Sequence, residues 1–378
     1  MVQRTARLTV VSIFLSLMLV ATCVLLPASQ AETSPARVVK NPYASVDWNT
    51  VTHYLANFHS HTVYSDGRAE PDELIHNYAE AGYHILAITD HDNHHTTRDG
   101  ERETVRTAST TWPWTNWIGE RPSQLWQRGG IVTSAFFPGL GEEGMLAVRG
   151  NELSTHPHIV SLFNDCGFVD PRSDDERMAC VAAKGGLSHW AHPANYVPGG
   201  RWEDRVFDTS WEEALEYFGR YIADHDHMIG VEVRFGSRRE REEDFINRLF
   251  DQYYRDHDIF MVGSDDTHDT SVSENAALTL LLAEALTEEA VRHALKNGHT
   301  FVGARTTVYP RFNRISVDDE QQTITVDVDN HDGITWYKDG LQVAEGDTVR
   351  FSGMKNAVLR FQLDVDNVVF YSQAFYID

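Results

Sequence analysis

The chain has 378 residues and carries 56 acidic against 32 Lys and Arg side chains, for a formal net charge of −24. Its 42% hydrophobic and 23% charged residues are those of a globular chain, long enough for one large domain or for two. So acidic a surface excludes non-specific nucleic-acid binding, which draws its affinity from clustered Lys and Arg neutralising phosphates.

Arg4 and Arg7 precede an apolar run over residues 8–26, and Pro27-Ala28-Ser29-Gln30-Ala31 then offers small residues at Ser29 and Ala31. This pattern predicts a secretory signal peptide over 1–31, cleaved after Ala31, and a periplasmic or secreted chain with no membrane span afterwards. The alternative is an uncleaved anchor, because the apolar run is nearly long enough to span a bilayer. The cleaved chain keeps Cys166 and Cys180, in a loop-rich stretch. An oxidising compartment predicts one disulfide between them; two free buried thiols are the alternative.

Residues 32–51 read as a polar lead-in. From Tyr54, short apolar runs then alternate with amphipathic segments. Strands are predicted at 54–58, 83–89, 145–152, 158–163, 186–193, 228–234, 259–263, 277–282 and 299–302. Helices are predicted at 70–82, with Pro71 near the start and Gly82 past the end, and at 173–184, 210–224, 240–256 and 287–296, the last capped by Gly298. Such alternation argues for a parallel α/β barrel or sheet over residues 32–304. The rhythm breaks at about 93–144, which holds Trp112, Trp114, Trp117 and Trp126. This insertion reads either as a lid or binding loop or as a packed surface excursion. After residue 304 helical signals vanish, and short strands separated by turn residues predict a small all-β, Ig-like sandwich over 305–378. In it Trp336 and Tyr337 are candidates for surface binding or for the sandwich core.

Ligand-type side chains gather at the strand ends. His59 and His61 lie two apart at the end of the first strand, so alternation turns both to one side. Asp66 follows, and later strands end in Asp90-His91, Glu152 with His158 close behind, His192, and Asp265-Asp266-Thr267-His268. The C-terminal ends of barrel strands converge on one face. Imidazole and carboxylate without thiolate suit Zn, Mn or Fe, and so many ligands exceed the needs of one tetrahedral ion. His189, three before His192, is turned to the opposite side by strand alternation.

The segments His59-Ser60-His61 with Ser65-Asp66-Gly67, Thr89-Asp90-His91, Gly150-Asn151-Glu152 with His158, Ala191-His192-Pro193 and Gly263 to His268 occur in one order. The set resembles the polymerase-and-histidinol-phosphatase (PHP) superfamily of metal-dependent phosphoesterases over about residues 54–303. The resemblance implies a distorted (β/α)7 TIM-like barrel with a two- or three-metal site. One ion would be held by His59, His61, Glu152 and Asp266, a second by Glu152, His158 and His192, and a third by Asp66, His91 and His268. Asp66 stands where many members have His. The Asp-x-His pattern selects Asp266 over Asp265, and Asp90 is read as orienting a ligand.

The implied reaction is attack of a metal-bound hydroxide on the phosphorus of a phosphate ester, with Glu152, Asp66, His91 and Arg234 as the catalytic set. Arg201 and Lys184 are further candidates for phosphate charge, and His94 and His95 for substrate contact. Sugar phosphates, nucleotides and short oligonucleotides all fit as substrates. The alternatives are a hydrolase of a non-phosphate ester or amide on the same metal chemistry, and a cell-envelope binding protein on a catalytically idle barrel.

Overall fold

Short apolar runs with β-branched residues form the strands, and amphipathic segments with caps form the helices. The computed structural model describes residues 35–92, 144–168, 171–203, 206, 210–234, 239–273 and 276–378, with the backbone of three short strands between 95 and 132. The leader expected at 1–31 lies outside the described residues, as do nearly all of the Trp-rich insertion and the side chains of His94 and His95.

The first strands are β1 (Val38–Lys40), β2 (Thr52–Asn57) and β3 (Ile85–Ile88), followed by the short β4 (His95–Thr96), β5 (Arg102–Glu103) and β6 (Gly130–Val132). Then come β7 (Met145–Leu153), β8 (Ile159–Leu162), β9 (Leu187–Trp190), β10 (Met228–Val233), β11 (Phe260–Gly263), β12 (Ala277–Ala283) and β13 (Thr300–Ala304). The helices between them are α1 (Pro71–Glu80), α2 (Asp174–Ala183), α3 (Trp211–Asp224), α4 (Arg239–Leu249) and α5 (Glu288–Asn297). Their ends have local causes. Ser173 and Glu176 form a reciprocal capping box at α2. Thr287 caps the start of α5, and Gly298 at φ +69° closes its end in the left-handed conformation. A π-helical turn, Phe250–Tyr254, extends α4.

Strand order along the main sheet runs β13-β12-β2-β3-β7-β8-β9-β10-β11. The pairs β2–β3, β3–β7, β9–β10 and β10–β11 are parallel. The pairs β13–β12, β12–β2, β7–β8 and β8–β9 are antiparallel. Hence β2, β3, β7, β9, β10 and β11 share one direction, and β8 and β12 oppose it. The strict strand–helix alternation expected of a parallel barrel fails at β8. Only residues 154–158 join β7 to β8, too few for a crossover, so the connection is a hairpin. No strand pair closes this path into a ring among the described residues; the sheet is mixed and dominates the fold. One apolar cluster nevertheless takes side chains from each of β2, β3 and β7 to β12, including Ala56, Ile85, Val148, Val160, Ile229, Val262 and Leu281.

The C-terminal strands are β14 (Arg311–Asp318), β15 (Thr323–Asp329), β16 (Gly333–Lys338), β17 (Leu341–Glu345), β18 (Thr348–Arg350), β19 (Ala357–Val365), β20 (Val368–Ser372) and β21 (Phe375–Ile377). A three-stranded sheet, β14-β15-β18, shares a core with β16, β19 and β21 through Phe312, Ile324, Trp336, Phe361 and Phe375. Trp336 is fully buried there and donates its Nε1–H to the Gly346 carbonyl, so it belongs to the core. β20 pairs antiparallel with β13, so hydrogen bonding continues across the boundary expected at 304/305. Residues 36–378 pack as one unit.

Candidate metal centre

The common strand direction delivers the ligand-type residues to one edge. His59 and His61 follow β2, Asp90 and His91 follow β3, and Glu152 lies near the end of β7. His192 follows β9, Asp266 and His268 follow β11, and His158 enters from the start of the opposed β8. Bridges from Ser60 to Thr267 and from His91 to Glu152 tie these loops together. Gly67 allows the first loop to fold tightly, because a Cβ there would lie 2.5 Å from the His61 carbonyl group. His192 at φ +35° and Asp266 at φ +50° adopt backbone conformations that cost non-glycine residues about 1–3 kcal/mol each.

Three overlapping clusters result. The first joins His59, His61, Glu152 and Asp266. His59 Nε2 is 3.1 Å from His61 Nε2, 3.4 Å from Glu152 Oε2 and 3.3 Å from Asp266 Oδ1. His61 Nε2 is 3.3 Å from Glu152 Oε2 and 3.0 Å from Asp266 Oδ1. Four N and O ligands about 2.1 Å from a tetrahedral ion lie about 3.4 Å apart, so these edges fit a first-row divalent cation. The second cluster is His91, Glu152 and His158, with His91 Nδ1 and His158 Nδ1 each 2.8 Å from a Glu152 oxygen. His192 Nε2, expected beside Glu152 and His158, also approaches Glu152 Oε1, at 3.1 Å, and His91 lies in the same cluster. The third is His61, Asp66, His91 and His268, where Asp66 Oδ1 is 3.1 Å from His268 Nε2 and 3.5 Å from His91 Nε2.

The supporting contacts set the tautomers. His59 Nδ1 lies 2.8 Å from Glu232 Oε2. A carboxylate only accepts, so Nδ1 carries a proton and Nε2 is the atom turned to the cluster, free to ligate a cation once it gives up any proton of its own. The Ser65 hydroxyl donates to Asp90 Oδ1 at 2.6 Å and accepts from His61 Nδ1 at 3.1 Å. Asp90 thus orients His61 through Ser65, and it also receives the Thr62 amide and hydroxyl. Asp265 turns away from the cluster to accept from Tyr78 and Asn57. Glu232 passed unremarked in the sequence. Its signal is a carboxylate inside the otherwise apolar strand Met228–Val233, where a buried charge requires a partner.

The charges of these side chains compensate one another. Burial alone would strip His59 of its proton, but Glu232, Asp266 and Glu152 outweigh burial and hold the imidazole well above its ordinary range. Burial opposes a proton on His91 too, yet Glu152 and Asp66 raise it to about 9. Burial pushes His158 down to about 3 against the pull of Glu152. Its Nδ1 and the Nε2 of His192 face Glu152, and the other nitrogen of each ring is buried without a hydrogen-bond partner. Burial disfavours the Glu152 carboxylate, but His91, His158 and His59 hold it well below its usual range.

The clusters face a cavity of about 770 Å³. Arg234 lines it and donates from Nη1 to Asp266 Oδ2 at 2.5 Å. Arg201 and Trp202 line it as well, whereas Lys184 is outside it and paired with Asp165. Cys166 and Cys180 form a disulfide between α2 and the segment after β8.

An imidazole–carboxylate cluster of this composition, on a concave strand edge, could hold divalent first-row cations. A family model for the PHP domain matches residues 57–117, the segment that supplies His59, His61, Asp66 and His91, so the resemblance read from the motifs is met there. Among solved structures, a two-domain protein from Bacteroides vulgatus containing a predicted PHP-like metal-dependent phosphoesterase is 14% identical. The match covers 88% of this chain and 96% of that one, with a TM-score of 0.47. The lesion-specific endonuclease PfuEndoQ from Pyrococcus furiosus is 14% identical over 65% of this chain and 56% of its own, with a TM-score of 0.39. An amidohydrolase from Chromobacterium violaceum is 15% identical over 57% of this chain and 87% of its own, with a TM-score of 0.31. Comparison with curated proteins gives no match.

Proposed function

We propose that the chain is a metal-dependent phosphoesterase that acts outside the cytoplasm on a phosphate ester of a small molecule. The observation that carries this reading is Glu152. Its two oxygens are shared among His59, His61, His91, His158 and His192, at the floor of one cavity. One carboxylate so placed is suited to join two cations. His59, His61, Glu152 and Asp266 would hold the first and Glu152, His158 and His91 or His192 the second. Asp66, His91 and His268 would hold a third. The donor set suits Zn, Mn or Fe. Bound ions would supply Lewis acidity towards phosphoryl oxygens and acidify water.

The chain's own residues do the rest. Glu232 and the Ser65–Asp90 pair fix the His59 and His61 rings. Arg234 offers a cation at the cavity wall, where the phosphoryl oxygens gain negative charge. In the reaction one P–O bond to the leaving group breaks and one to the water oxygen forms. The two protons of water are divided between phosphate and the departing alcohol. The strand arrangement is read as a distorted (β/α)7 barrel, supported by the common strand direction and the shared inner cluster. Export is supported by the leader pattern at 1–31 and by the disulfide.

The test pairs metal content with phosphate release from an aryl phosphate, for wild type and Glu152→Ala. Wild type should hold about two or three divalent ions per chain and release phosphate, and the variant should lose both. A fully metal-loaded wild type that releases no phosphate from any ester would move the reaction to another bond.

A further inference from the structure

The cavity is larger than a phosphate requires, and its charges are unevenly committed. Two arginines line it among the described residues. Arg234 is engaged with Asp266. Arg201 is exposed and forms no ion pair among the described residues, in a chain with 56 acidic residues against 32 Lys and Arg. Its guanidinium lies 5.3 Å from the centre of the Trp202 ring. That indole packs in turn on His192 at 4.9 Å and His158 at 5.6 Å. Trp202 is held by its amide, which donates to the Asn195 carbonyl, and by its contact with Tyr196 at 5.4 Å. The indole is therefore a fixed spacer that sets a cation one ring's width from the metal-ligand histidines, on the wall of the same cavity.

We infer that Arg201, seated on Trp202, is a substrate subsite that takes a second anionic group on the leaving-group side of the ester. The inference rests on the phosphoesterase reading and narrows its substrate to small molecules with two separated anions. Arginine matches the planar, paired oxygens of carboxylate or phosphate. The Trp202 face is already covered by the guanidinium, which leaves the cation, and not the ring, to meet the ligand.

Three compounds carry a phosphate ester at C6 and bring different second groups: glucose 6-phosphate none, the open-chain 6-phosphogluconate a carboxylate and glucose 1,6-bisphosphate a phosphate. Their kcat/KM values are compared on the metal-loaded full chain, and their binding to the chelator-treated chain is measured by calorimetry. The two-anion compounds should be favoured by about tenfold or more, the scale of one charge-assisted hydrogen bond. Arg201→Gln should lower their kcat/KM about tenfold more than that of glucose 6-phosphate, through KM, and Arg201→Lys should recover part of the loss. The two second groups separate a carboxylate subsite from a phosphate subsite. Equal treatment of all three compounds by wild type, or an equal loss for all three in Arg201→Gln, overturns the inference. If aryl phosphate is hydrolysed in that case, the phosphoesterase reading stands. If no ester is hydrolysed, that reading fails separately, and the calorimetric ranking still decides the subsite.

Discussion

Replacing Glu232 by Gln keeps the volume of the side chain and removes its charge. In the wild type, Glu232 is 2% exposed and accepts from His59 Nδ1 at 2.8 Å and from the His192 backbone amide at 3.1 Å. Each contact is a hydrogen bond to an ionised acceptor in a dry site, worth about 1.5–3 kcal/mol. Gln can still accept one, but its amide can also turn an N–H towards His59 and drive the imidazole proton to Nε2, where it blocks the cluster. Loss of a carboxylate behind a ligand histidine costs about 10–100-fold in metal affinity, or about 1.4–2.8 kcal/mol. Competition with a fluorescent chelator measures that affinity, and kcat/KM on an aryl phosphate measures the consequence. Glu232→Gln should bind the tightest ion at least about tenfold more weakly yet melt near the wild-type temperature when metal-free. An affinity within twofold of wild type, beside a clear loss in Glu152→Ala, would refute the role given to Glu232.

Two further outcomes concern stability. His53 accepts from the Phe312 amide at 3.0 Å, and burial, with Arg311, lowers its pKa to about 4. Its neutral form is the folded one, so its contribution is complete above pH 6.5 and is lost as pH falls towards 4, by at most about 3 kcal/mol. His299, lowered to about 4 by burial and His293, adds to the same loss. Urea unfolding at pH 7 and pH 4.5 should show a smaller acid penalty in His53→Gln, and an unchanged penalty would count against the assignment. Replacing Cys180 by Ser opens the loop between two cysteines 14 positions apart and should cost about 3 kcal/mol. Equal urea midpoints for variant and wild type would show that the bond contributes nothing.

The local elements were legible because their signals are short-range. The Ser173–Glu176 box and Gly298 bound their helices where capping chemistry places them. The gathering of imidazoles and carboxylates at one edge was legible because they stand at successive strand ends. The order of strands was not, since β2 lies between β12 and β3 by pairings remote in sequence. Nor was the sharing of His91 between two clusters, because a bridge between segments remote in sequence sets His91 beside Glu152. Glu232 was overlooked because its effect passes through His59. Trp336 could be read either way until the sheets packed over it.

The bond between β13 and β20 bears on how this chain could be recombined. Phe301 of β13 stacks on Phe312 of β14 with ring centres 3.7 Å apart, and Tyr43 from the lead-in donates to the Thr300 carbonyl while accepting from the Gln373 amide. A cut at residue 304 would open a sheet edge and bare aromatic surface on both fragments, each a template for aggregation. The edge that carries the imidazole–carboxylate clusters and the C-terminal strands are therefore not exchangeable cassettes. A chimera that keeps this site has to carry the chain from Ala36 to Asp378 as one piece.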